Sequence, residues 1–320
     1  FMAVGIPGML LALLTWQIKE PPRGLSEGLI SSESKNPLKE TFKELVGLTP
    51  FGLVGSDNFK KELSINIIFT VLIFLASYYL YVLTGDFLQW TAFGIGVYVI
   101  CNWIHGLKNR DPVAFLLIFK SKALLLGLLS FPFITFVTYA LGAFGPSFYI
   151  RNFSMTATEV GIIYGLITVF GSMIGVICGG ILGDKLRETY VNGKLYLIMA
   201  SAVLTGVTAI GFIHSENLVA SFTWKFVYHI ASTAWLGCAA STVTELVLPR
   251  LRAVASAFFI LMLSMIGLAL GPYLTGMVSD IYINSGLLPG PALKNAMTLT
   301  LVVLVLPFGL LAVACKYLKN

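Results

Sequence analysis

Long apolar runs broken by short polar joints dominate the chain. Crossing about 30 Å of hydrocarbon takes roughly 20 residues of helix. Runs of that scale fall at about 1–17, 65–83, 87–105, 123–148, 158–183, 194–213, 223–247, 253–280 and 293–316. None shows the period-two alternation of a barrel strand, and a backbone in lipid must satisfy its own hydrogen bonds. The nine runs are therefore predicted as helices. Only the segment between Lys19 and Leu63 is long and polar. It opens as a Ser-, Gly- and Pro-rich linker. From Asn36, Leu38, Phe42, Leu45 and Val46 recur at helical spacing opposite Lys39, Glu40, Lys43 and Glu44, which predicts a short amphipathic helix at the membrane surface, a solvated loop helix being the alternative.

Composition agrees with lipid as the solvent, at 57% hydrophobic and 11% charged residues. A water-soluble fold carries about 25% charged residues. The net charge of +6 does not point to nucleic acid, because the basic residues sit in short joints between apolar runs and not on one wet face. If the first run ends in the cytoplasm, 18 of the 21 Lys and Arg collect on cytoplasmic joints, leaving Arg151, Lys225 and Lys294 outside. This is the positive-inside pattern, and it places residues 18–63 and the C-terminus in the cytoplasm of a multi-pass protein of the cell or inner membrane. Cys101, Cys178, Cys238 and Cys315 are scattered without metal-ligand spacing. No metal, cofactor or nucleic acid is expected.

Three stretches carry more than composition. "GGILGDKLRE" places Gly180, Asp184, Lys185 and Arg187 where a long apolar run ends. Glycine lets a neighbouring helix approach, and a carboxylate at the membrane face can hold a helix N-terminus or an arginine and release it. A plain positive-inside turn is the competing reading. "GLALGPYLTG" places Gly267, Gly271, Pro272 and Gly276 in one span, a pattern for close packing with a bend. The third is "GIPGMLLALLTWQIKEPPRG", followed further on by "LGAFGPSFYIRNFSMTATEVG" and "VLPRLRAVASAFF".

The first motif resembles the cytoplasmic loop signature of the major facilitator superfamily, and the last three stretches, in this order, resemble its spinster-like transporters. The resemblance covers residues 1–24 and 122–318. It implies an all-α membrane bundle: residues 1–17 equivalent to helix 6, a cytoplasmic linker at 18–63, two additional transmembrane helices at 64–106, and a six-helix C-terminal bundle at 122–318. Helices 1 to 5 are not in the chain, so the N-terminal half of the transporter is expected as a partner. So are membrane lipid, a small or lipid-like substrate and a coupling proton or ion. The motif Gly180, Asp184, Lys185 and Arg187 would form a cytoplasmic gate.

Inside the spans, His229 is a candidate carrier of a coupling proton, with an ordinary pKa of about 6.5. A structural histidine bonded to a hydroxyl is the alternative. Glu245 is expected to pair with Arg250 or Arg252. If helices 7 and 10 line the cavity, as the resemblance implies, Thr138, Tyr139, Thr233 and Trp235 face it. Neither a nucleophile–base spacing nor a phosphate-cradling glycine loop occurs, which disfavours an enzyme or an ATP-driven pump. The expected function is secondary active transport by alternating access. A non-transporting scaffold or receptor on the same fold is the alternative.

Overall fold

A computed structural model describes residues 2–18, 59–110 and 112–318. The amphipathic segment from Asn36 and Lys319 lie outside the described residues. Contacts divide the chain into two units, Phe1–Lys43 and Glu44–Asn320. In the first, helix α1 spans Met2–Trp16. At 15 residues it is shorter than a full crossing.

The second unit is helical throughout its described residues. Helices α2 (Phe59–Thr84) and α3 (Phe87–Arg110) form an antiparallel pair, joined at Gly85. Gly85 has φ +80°, and an added Cβ there would meet nothing within 4 Å. The cost of a side chain is therefore conformational alone. Gly85→Ala is expected to destabilise by about 1–2 kcal/mol, read as a lower unfolding midpoint in detergent. A short helix α4 (Pro112–Lys120) leads into α5 (Lys122–Phe153), 32 residues long. Next come α6 (Ala157–Thr189), α7 (Gly193–His214) and α8 (Leu218–Glu245). A 3-10 turn at Pro249–Leu251 opens α9 (Arg252–Met262), which runs through a π turn at Leu263–Leu268 into α10 (Ala269–Asn284). The last crossing is α11 (Pro289–Thr300) and α12 (Val305–Tyr317), joined by a 3-10 turn at Leu301–Leu304.

Local chemistry sets these ends. Thr156 and Glu159 form a reciprocal capping box that starts α6. The Asn217 side chain accepts from the amides of Val219 and Ala220 and starts α8. The π turn has a chemical cause four residues on. Pro272 has no N–H to give to the Leu268 carbonyl, so the backbone widens just before it.

Seven helical stretches among the described residues are long and apolar enough to cross a membrane. The predicted spans at 1–17 and 223–247 are not among them. For 223–247 the reason is composition, which the packing accommodates. Helix α8 is clasped by α6 and α7 and is enriched in hydroxyls, with a lysine and a histidine that face protein instead of lipid. Helix α6 has the opposite character along one side, where Ile162, Val169, Phe170, Ile177 and Ile181 are all exposed. Helix α5 is the hub, touching α8, α12, α11, the π turn and α10. Its buried side chains feed two apolar clusters, one around Phe131 and Trp235 and one around Tyr149 and Phe148.

Candidate functional site

The charged motif sits on helix, not in a turn as the sequence suggested. Helix α6 continues through Asp184, Lys185 and Arg187 to Thr189, and the chain reverses only at Tyr190–Asn192. Gly193 allows the reversal, since an added Cβ there would overlap the Leu186 carbonyl. The turn is pinned from a third side, where the Asn192 side-chain amide donates to the Cys315 carbonyl at 3.0 Å. Arg187 donates back to the Val191 carbonyl. Lys185 is exposed.

At this end of the bundle three charges meet. Lys194, the second residue of α7, is buried and donates to Glu245, the last residue of α8. The same ammonium lies 3.4 Å from Asp184 Oδ1 on α6. Of the pairings expected for Glu245, Arg252 instead donates to the Thr244 carbonyl at 3.2 Å, and the partner of Glu245 among the described residues is Lys194. Each charge stands at the end of its own helix that disfavours it. The two carboxylates are near C-termini and the ammonium is at an N-terminus, so each is offset by the others and not by its own helix. Three helix ends are thereby tied through one cation. Asp184 remains 76% exposed and can also take a contact from outside the cluster.

Behind the cluster runs a seam of close approach. Gly171, Gly175, Gly179 and Gly183 of α6 all face α8. A Cβ on Gly171 would come 2.7 Å from that of His229; on Gly175 and Gly179 it would overlap the carbonyls of Ile230 and Ala234; on Gly183 it would meet Cys238 Sγ. Gly180, by contrast, has nothing within 4 Å of an added Cβ, so the packing role expected of it belongs to Gly179 and Gly183. A second seam faces α5. Cβ atoms on Gly267 and Gly271 would overlap Thr135 and the Phe136 carbonyl, and one on Gly276 would lie 3.1 Å from the Phe144 ring.

The candidate cavity residues lie on α5 and α8. His229 is buried on the α6–α8 seam, with Nε2 3.1 Å from the Thr168 hydroxyl. Thr233, on the same seam, donates to the His229 carbonyl at 2.7 Å. Trp235 is buried against Phe131 and donates to the Ser232 carbonyl at 2.9 Å. On α5 the Thr138 hydroxyl donates to the Ile134 carbonyl, and Tyr139 is exposed.

Lys225 departs furthest from expectation. The sequence placed it in an outer joint. Because α8 begins at Leu218, Lys225 lies about two turns inside the helix and is fully buried. Its Nζ sits 4.2 Å from the Phe212 ring centre, 4.4 Å from that of Tyr228 and 5.0 Å from that of Tyr164, a cation–π arrangement on three sides. Among the described residues it has no hydrogen-bond acceptor.

Part of this was readable. "GSMIGVICGGILG" shows a glycine at every fourth position, but the charged motif drew the eye to Gly180 instead. Lys194 gave no local signal, because its two acids lie 10 residues before and 51 after it.

The geometry describes a polytopic helical bundle with two glycine-lined seams and an ion cluster at one end. No protein-family model matches the chain. An MFS-type efflux pump of Mycolicibacterium smegmatis is 30% identical over 189 residues, covering 59% of this chain and 42% of the relative. The protein spinster of Drosophila melanogaster is 26% identical over 50% of this chain and 28% of its own length. Human protein spinster homolog 1 is 24% identical over 50% of this chain and 33% of its own length. The chain thus spans less than half the length of these relatives. Among solved structures, a bacterial homolog to the human lysosomal transporter spinster, inward-facing and unoccupied, superposes with a TM-score of 0.57 at 21% identity, over 73% of this chain and 59% of that one. The chain therefore shares the fold of that bacterial spinster homolog and is similar, over part of its length, to an MFS-type efflux pump and to spinster proteins. It is an integral, multi-pass membrane protein.

Proposed function

We propose that the chain works as part of a secondary active transporter that moves a small, amphipathic or lipid-like solute by alternating access, coupled to a proton or another ion. The relatives named as an efflux pump and as spinster support a transport role. The observation that carries the reading is the Asp184–Lys194–Glu245 cluster, which ties the ends of α6, α7 and α8 while leaving Asp184 largely exposed. In this reading the cluster is a latch on the cytoplasmic side. It forms in one conformer and yields in the other as a second six-helix half rocks against this one. The seams on Gly171–Gly183 and Gly267–Gly276 give the moving helices close, side-chain-free contact.

Because Asp184 is exposed and 3.4 Å from Lys194, this contact contributes at most about 1 kcal/mol to stability. Asp184→Asn should therefore insert and fold normally. If the carboxylate also grips a group in the other half, the same change shifts the conformer balance, and flux falls about ten-fold. The measurement is the transport of a fluorescent amphiphile into proteoliposomes, alongside surface expression, for wild type and Asp184→Asn. Normal flux in the variant would remove the latch. A wild-type protein that, reconstituted together with its second half, moves nothing down an imposed proton gradient would favour the scaffold or receptor alternative.

A further inference from the structure

We propose that Lys225 is a proton-binding site of the carrier whose affinity for the proton depends on whether the α6–α8 seam is closed. This rests on the transport reading above.

Side chains from four helices lie around Nζ or pack against those that do. From α8 itself come Tyr228 and, one turn on, His229. From α6 comes Tyr164, whose ring lies over the ammonium and edge-on to His229 at 6.0 Å, and Thr168, bonded to His229. Helix α7 supplies Phe212. From α5, Tyr149 packs against Tyr164 and bonds to Ser221, one turn before Lys225. Among the described residues no carboxylate lies within ion-pair distance of Nζ, and no oxygen or nitrogen accepts from it. A buried side chain with three donors and no acceptor calls for an explanation, and an ionisable group inside a membrane bundle is by default a candidate for function.

Among the described residues, ring faces are what meet Nζ. The ammonium form is held by three aromatic faces and leaves its N–H donors unmatched. The amine form gives up the attraction to the rings. Opening the seam exchanges ring faces for water, which serves the two forms unequally. A conformational change that trades rings for water must then change the proton affinity, and by linkage the proton must change the conformational balance.

The location fits such a coupling. Lys225 and His229 stand on the face of α8 that meets α6, and Gly171 lets the two backbones close to contact there. Helix α8 ends in Glu245, one arm of the ion cluster, 20 residues and about 30 Å further along the axis. One rigid helix therefore carries the buried lysine near one end and the latch at the other.

The test uses the full chain in lipid nanodiscs, labelled with 13C at lysine Cε, with NMR titrations from pH 5 to 11. Lys225→Met identifies the Lys225 signal, and Lys225→Gln serves if the methionine variant fails to insert. The same titration is then run on Glu245→Gln, which breaks the latch without touching the lysine's surroundings. The expected result is a Lys225 midpoint that differs by at least one pH unit, a ten-fold change in proton affinity, between wild type and Glu245→Gln. A midpoint that is the same in both proteins overturns the proposal, as does a Lys225 signal that does not titrate. Either result would leave the lysine as a structural plug. The carrier reading fails separately. A shifted midpoint in a protein that, reconstituted with its second half, moves no amphiphile in proteoliposomes would keep the proton site and discard the transporter.

Discussion

Gly179→Leu should break the α6–α8 seam, whereas Gly180→Leu, the same change one residue on, should leave it intact. At Gly179 the obstruction is the backbone of Ala234, with its carbonyl carbon 2.6 Å from the position of an added Cβ. Backbone in the middle of a helix cannot rotate away as a side chain can, so the two helices must separate along their length. Overpacking typically costs about 1–3 kcal/mol, and this site belongs at the upper end or beyond. Separation would also strand the Cys238 thiol, which donates to the Gly179 carbonyl at 3.4 Å, and pull His229 from Thr168. At Gly180 nothing lies within 4 Å, so leucine should change stability by no more than about 0.5 kcal/mol. Unfolding midpoints and monodispersity in detergent, measured in parallel, read the contrast. Equal losses at the two positions would mean that α6 does not present this face to α8.

Lys194→Met carries the second large effect. Methionine keeps the buried stem and removes the cation, so Asp184 and Glu245 are left near one another without a counter-charge, each at the end of its helix that disfavours it. Breaking a fully buried pair costs about 3–5 kcal/mol. Here the carboxylates are 76% and 47% exposed and water compensates in part, so about 1–3 kcal/mol is expected. Adding Glu245→Gln to Lys194→Met should restore part of the loss, because the stranded charge is then gone. A double variant no more stable than Lys194→Met would show that the three helix ends are not coupled through this ammonium.

Most of the architecture is legible in the sequence because lipid enforces it. A backbone that cannot hydrogen-bond to its solvent has to close its own bonds, so an apolar run of 20 residues leaves little choice but helix. Boundaries were less legible. The 158–183 run stops where the charges begin, yet the helix continues to Thr189, since a helix entering water loses nothing by keeping its hydrogen bonds. The ion cluster was legible only in part. Asp184 announced itself through a local motif, while its partners are assembled by tertiary packing alone. Lys225 was misplaced for a related reason. A basic residue near the end of an apolar run reads as a joint, and only the start of α8 at Leu218, fixed by the Asn217 cap, carries it inside.

The π turn at Leu263–Leu268 has a consequence for the angular phase of everything that follows it. The α9–α10 run buries Ala255, Phe259, Gly267, Gly271, Thr275 and Ser279, positions separated by multiples of four. In a regular helix each step of four overshoots a full revolution by about 40°, so such a line winds steadily off the face it started on. The wide turn absorbs much of that overshoot in one place, so the line stays buried, with Gly267 and Gly271 against α5 and Thr275 bonded to Thr300 of α11. Phase, not length, is what this turn controls. Moving it along the helix by a few residues would leave the number of backbone hydrogen bonds unchanged while swinging the intervening side chains about the axis by about 100°. In this structure the turn lies just before Pro272, which fixes the phase of the helix that follows.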